Sequence, residues 1–323
     1  MKHLFQSIPI PMSGVMLAFV SLANLLHALD ATVLAHISFF IGVVLFLSLI
    51  GKLVFSTKTV VIEMKNPIIA SVSPTFTMGT LALSSGLANY GISPTVIHAL
   101  WILAAVTQIF IICYFIKMFI WKKSVTIANI FPSWLILFVG TAVMPLTSGD
   151  LTGRFTHGVL IFAICAFVVI VPIVILRGFI RKDLPEPTMP MLTILTAPSS
   201  LCLAAYIVQF NSSSTVILTL YTLAQILFLL VLTKLPSLLK LPFYPSYAAF
   251  TFPLVITATA TNEFMHAFQF EGTVKTVLTG YFALQLILAI CIVVYVLIRY
   301  ISYLSVQLHE KREQAIQNEQ VTS

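Results

Sequence analysis

Tyr247–Asn262 reads YAAFTFPLVITATATN, and the pair Phe252-Pro253 at its centre decides how the rest of the chain is read. The run has the apolar character and reach of a membrane crossing, yet a proline and four threonines interrupt it. A bilayer core offers no water to a backbone carbonyl that proline has freed. Such a helix is stable only where neighbouring helices or a polar cavity take over. The stretch therefore predicts a kinked helix facing a pore.

The whole chain has the composition this requires. Of its 323 residues 59% are hydrophobic and 8% charged, and the mean hydropathy is +1.05. Those values belong to an integral membrane protein and leave no room for a sizeable soluble domain. The four cysteines, Cys113, Cys165, Cys202 and Cys291, stand alone in apolar runs and read as small buried hydrophobes without metal or redox pairing.

Apolar runs of about 20 residues place ten helices at 10–29, 33–55, 67–88, 95–119, 131–147, 154–177, 189–210, 214–234, 244–262 and 273–302. Ten spans put the loops alternately on two sides. One side then collects Lys2, Lys52, Lys58, Lys65, Lys117, Lys122, Lys123, Arg177, Arg181, Lys182, Lys234, Lys240, Arg299, Lys311 and Arg312, and the other only Arg154 and Lys275. Fifteen cations against two place both termini in the cytoplasm by the positive-inside rule, since a missed span would scramble the alternation. The expected organisation is a transmembrane unit at 1–303 and a short polar cytoplasmic tail at 304–323 in a multi-pass protein of the plasma membrane.

An internal repeat divides the spans. Odd-numbered ones carry prolines within them or at their mouths: Pro11, Pro67 and Pro74, Pro132 and Pro145, Pro190 and Pro198, Pro245 and Pro253. Pro74, Pro145, Pro198 and Pro253 are the expected kink sites. The hydroxyls follow the same division, whereas even-numbered spans are dominated by Leu, Ile, Val and Phe, with glutamines at Gln108, Gln225 and Gln285. Five helical hairpins in series, with five kinked inner helices around a central pore and five outer ones as a sheath, is the predicted all-α architecture. The expected pore lining is Ser71, Ser73, Thr75, Ser133, Thr196, Ser199, Thr251 and Thr257. Each hydroxyl alone also reads as a group that bonds its own helix backbone.

No acidic or basic residue falls near the centre of a span, which argues against a proton relay or an acidic cation filter. No nucleophile–base constellation, nucleotide-phosphate loop or metal cluster is present, so neither an enzyme nor a cofactor is expected, and nothing points to nucleic acid. A neutral, hydroxyl-lined path through broken helices suits a small anion.

The motifs SPTFTMG (Ser73–Gly79) after Asn66-Pro67, FPSW (Phe131–Trp134), TAPSSLCLAAY (Thr196–Tyr206) and FTFPL (Phe250–Leu254) stand in order on spans three, five, seven and nine. Together they resemble the tellurite-resistance/dicarboxylate transporter family, which includes the slow-type anion channels of plant guard cells and the malate permeases of yeasts. The resemblance implies a ten-helix protomer with a pore, commonly a homotrimer. It also implies a pore-blocking phenylalanine on span nine, which falls on Phe252, with Phe250 as the neighbouring candidate. The implied function is an anion channel or carrier for small anions and carboxylates. A proton-coupled malate or oxyanion exporter, tellurite included, and a membrane protein with only an indirect resistance phenotype are the alternatives.

Overall fold

The computed structural model describes residues 2–122, 125–210 and 213–322. Lys123 of the basic set lies outside the described residues, as do the side chains of Lys2, Lys311 and Arg312. The chain is 86% helix, with no strand among the described residues. The longer α-helices are α1 (Ser13–Ala28), α2 (Thr32–Phe55), α3 (Pro74–Leu87), α4 (Pro94–Phe115), α5 (Arg154–Ile175), α6 (Ala197–Gln209), α7 (Ser214–Leu232), α8 (Phe252–Phe268) and α9 (Gly272–Thr322). α9 continues unbroken well past 302, where the tenth span was expected to end.

Eight stretches among the described residues are long and apolar enough to cross a membrane, against the ten expected from sequence. The difference falls on the fifth and ninth expected spans. The fifth is split into Ser133–Phe138, a 3-10 turn Val139–Ala142 and Val143–Leu146. The ninth is split into a 3-10 segment Pro245–Phe250 and α8, with Thr251 between them at φ −87° and ψ −81°. Each is shortened as a continuous helix by its own break.

Three of the breaks share a cause. Pro74, Pro198 and Pro253 each occupy the first or second position of a new α-helix. Proline's missing N–H costs nothing there, because first-turn donors have no intrahelical partner, while deeper in a helix it would remove a hydrogen bond and its ring would strike the carbonyl four residues before. These prolines therefore start helices. Ahead of them the backbone runs as the short helix Pro67–Val72, the long 3-10 stretch Glu186–Thr196 and the 3-10 stretch Pro245–Phe250. α1 follows the same plan, preceded by the 3-10 turn Ile10–Met12 that contains Pro11.

Burial separates the broken segments from the straight ones. In the most apolar 18 residues of each stretch, 78%, 78% and 89% are buried for Ile10–Ala28, Pro67–Tyr90 and Glu186–Gln209, against 33% for those containing α2, α4, α5, α7 and α9. Most of α8 is buried as well. The buried segments touch in chain order: α1 on α3, α3 on Val143–Leu146, that segment on α6, α6 on α8, and α8 back on α1. Three of the cysteines depart from expectation. Cys202 is buried, but Cys113, Cys165 and Cys291 are exposed on the straight outer helices, where a small apolar side chain costs nothing against lipid.

Helix association in lipid lacks the driving force of apolar burial from water and depends on close packing at small residues. A Cβ added to Gly79 of α3 would stand 3.3 Å from the Leu17 Cα of α1, so the two backbones are already in contact. A Cβ on Gly158 of α5 meets nothing within 4 Å. Gly79→Val is expected to destabilise the protein by about 1–3 kcal/mol, the usual range for overpacking, and Gly158→Ala to leave it unchanged or slightly firmer. Thermal unfolding midpoints in detergent read both.

Candidate functional site

One narrow cavity lies among the five broken segments. Pro11 and Gly14 come from the first, Val72, Thr75 and Met78 from the next, and Leu135, Ile136, Val139 and Gly140 from 133–146. The stretch Glu186–Gln209 adds Met191, Ile194, Ala197, Pro198 and Leu201, and the last segment adds Ser246, Ala248, Ala249, Phe252 and Pro253. None of these side chains is charged, and only Thr75 and Ser246 bring hydroxyls.

Several of the lining residues share a position in their helices. Gly14 is the second residue of α1, Thr75 the second of α3, Ala197 and Pro198 the first two of α6, and Phe252 and Pro253 the first two of α8. Four helices thus begin at the cavity wall. A helix start carries a partial positive charge of roughly +0.5 from N–H groups that have no intrahelical acceptor. With no charged side chain in the wall, the polarity of the site is that of these helix starts, three of which carry a proline in their first two positions.

The structure brings Thr75, Pro198, Phe252 and Pro253 of the expected site to this cavity. The remaining expected hydroxyls are buried and bonded to carbonyls of their own stretch or to a neighbouring segment. Ser71 Oγ donates to Ile68 O at 2.9 Å and lies 2.7 Å from Ser133 Oγ, whose hydroxyl is free to donate to it. Ser73 Oγ donates to Ala70 O, the carbonyl four residues before Pro74, at 2.9 Å. Thr196 Oγ1 donates to Thr193 O at 3.2 Å, and Ser199 Oγ to Leu220 O of α7 at 2.7 Å. Thr251 Oγ1 donates to Ala248 O at 2.7 Å and lies 3.2 Å from Gly14 O, while Thr257 Oγ1 donates to Pro253 O at 2.8 Å. Thr75 also holds two segments together, with its hydroxyl 2.5 Å from Ser13 Oγ. Pro74 heads α3 and Pro145 lies in Val143–Leu146, neither on the cavity wall.

The two phenylalanines separate cleanly. Phe252 faces the cavity, whereas Phe250 is fully buried with its ring edge-on to Tyr247 at 5.0 Å. The unusual ψ at Thr251 changes the helix path between them, so they do not share a face.

A second cavity of about 710 Å³ shares Pro11, Met191 and Ser246 with the first and is also lined by Glu63, Asn66 and Tyr244. It leads from the end of the molecule where the basic residues cluster. Two of those cations are buried, which their polar type did not foretell. Lys52 Nζ pairs with Glu63 Oε1 at 2.8 Å and bonds the Ile8 carbonyl. Arg177 pairs with Asp183 at 2.9 Å, donates to Ile130 O at 2.8 Å and stacks over Phe131. Each pair anchors the chain entering a broken segment. The only sequence signal was position, one cation at the end of a span facing an acid 6 or 11 residues on.

The glutamines connect outer helices to inner ones. Gln225 Oε1 accepts from Tyr281 Oη at 2.7 Å and from Gln285 Nε2 at 2.9 Å, while its amide donates to Thr261 of α8 at 3.4 Å. Thr77 donates to Gln108 at 3.3 Å. Gln209, at the end of α6, was not singled out from sequence; its amide reaches Pro145 O at 2.7 Å and Ser148 Oγ at 2.9 Å.

A sequence model of the voltage-dependent anion channel family matches residues 7–301. The chain belongs to this family. The match covers all five broken segments, and a cavity fed by helix starts without fixed charge is consistent with the anion transport of voltage-dependent anion channels. A search of curated proteins returns no match.

The contrast between the two rings gives a direct expectation. Phe250→Ala removes a fully packed ring, and is expected to cost about 3–5 kcal/mol, the range for core Phe→Ala. Phe252→Ala, which only widens an existing cavity, is expected to cost clearly less. Chemical or thermal unfolding of both variants in the same detergent makes the comparison.

Proposed function

We propose that the protein is an anion channel in which small anions pass through the cavity between the five broken segments and Phe252 closes the path. The observation that carries the reading is the convergence of four helix starts on one uncharged cavity with Phe252 in its wall. Partial positive charge spread over helix ends attracts an anion without the desolvated fixed cation that would trap it. The apolar walls and the ring form a constriction of the kind that stops conduction by excluding water. Thr75 and Ser246, whose hydroxyls also hold the Val72 and Pro187 carbonyls, are the polar side chains that an anion would meet.

In this reading the chain crosses the membrane ten times as five hairpins. The segments 133–146 and 245–268 supply the two crossings whose breaks shorten their continuous helices. The vestibule beside Lys52 and Glu63 opens to the cytoplasm, in keeping with the basic excess on that face. The plasma membrane is the proposed site of action, and the family likeness supports assembly as a homotrimer with a path in each subunit.

Reconstituted wild-type protein is expected to pass chloride or nitrate weakly, and Phe252→Ala to raise the current at least severalfold. An unchanged current in a variant with wild-type unfolding behaviour would remove the gate assignment. Measured with equal pH on both sides and then with an imposed pH gradient, the flux is expected to follow the anion gradient alone. Flux that tracks the pH gradient, without single-channel events, would make the protein a coupled exporter of malate or an oxyanion instead. The absence of any flux in wild type and variant would favour an indirect resistance role.

A further inference from the structure

A third cavity, an open groove, lies on the outer flank between α4, the broken segment 133–146 and α5. Its walls are apolar and open outward, with Ile109 41%, Phe155 52% and Phe162 45% exposed. Arg154 also lines it and is the first residue of α5. It has neither an ion pair nor a side-chain hydrogen bond among the described residues, whereas the buried Lys52 and Arg177 have both. An arginine that begins an apolar 22-residue helix stands at headgroup depth. Phe162, eight residues further on, lies about 12 Å deeper along the helix axis. A cation over an apolar slot of that depth is complementary to one kind of molecule, an anionic amphiphile with its acyl chain in the slot.

We propose that this groove is a binding site for an anionic phospholipid, with its phosphate on Arg154 and an acyl chain lying between α4 and α5. The groove exists because the segment 133–146 is too short and too irregular to fill the space behind it. Thr141 and Met144 of that segment face the groove, while Val139 and Gly140 face the central cavity. The lipid would complete the wall from behind.

Gly158 lines the groove and has open space around its Cβ position, so a leucine there enters the slot without striking protein. The test uses purified full-length protein, delipidated and offered equal amounts of phosphatidylglycerol and phosphatidylcholine, with retained lipid read by native mass spectrometry. Wild type is expected to prefer phosphatidylglycerol by about fivefold, the factor that about 1 kcal/mol per basic residue near anionic lipid corresponds to. Arg154→Gln is expected to abolish the preference, and Gly158→Leu to lose both lipids while keeping the wild-type unfolding midpoint without lipid. Equal retention of the two lipids by wild type, or a preference that survives Arg154→Gln, overturns the proposal. So does a second copy of the chain seated on Phe155 and Phe162 in a nanodisc reconstruction. Lipid retention is read without transport, so its outcome is independent of whether the protein proves to be a channel.

Discussion

Every carbonyl and N–H inside a bilayer must find its partner within the protein, since none is available from lipid. A chain that breaks its helices five times in that setting exposes backbone groups at each break, and the structure answers them locally. Ser73 caps the Ala70 carbonyl, Thr75 the Val72 carbonyl, Thr251 the Ala248 carbonyl and Thr257 the Pro253 carbonyl. The hydroxyls that accompany the prolines are thus the means by which the prolines are tolerated. Several first-turn donors are answered the same way, Ser13 N–H by Ile10 O, Phe76 N–H by Ser73 O, Ala197 N–H by Ile194 O and Leu254 N–H by Thr251 O, and these helix starts lie where the central cavity is. The proposed anion path and the broken backbone are one feature.

The same constraint explains the two layers. Irregular backbone is acceptable in a membrane only when surrounded by protein, so the broken segments are buried and the unbroken α2, α4, α5, α7 and α9 stand outside. Charged groups obey it too. Lys52 and Arg177 are buried only at the ends of their helices, and each has both a carboxylate and a backbone carbonyl as partners.

Much of this was legible in the sequence because it rests on residue type. The alternation of cations, the prolines at intervals of a hairpin and the motif at Phe250–Leu254 all survive without coordinates, and they located the broken segments and the family. The hydroxyl lining was less legible. Serine and threonine hydroxyls bond neighbouring carbonyls or face a cavity, and only the backbone path decides; here Thr75 stands in the cavity wall with its proton on the Val72 carbonyl, while Ser71, Ser133 and Ser199 bond other helices. Ideal helix geometry already sets Phe250 and Phe252 about 200° apart, and the break at Thr251 keeps them on different faces, with Phe252 in the cavity wall. The pairing of Lys52 with Glu63 was hidden for a different reason: a cation near a helix end looks the same whether it faces water or a fold-back of the chain.

The contact between Thr251 and Gly14 joins residues 237 positions apart. During synthesis the first broken segment is inserted long before the last exists, so the cavity stands open on one flank for most of the time the chain is being made. The positive helix starts of α1, α3 and α6 are then without their final neighbour. The cavity closes only when α8 packs on α1, with α9 still to follow, so an incomplete chain has helices but no closed cavity.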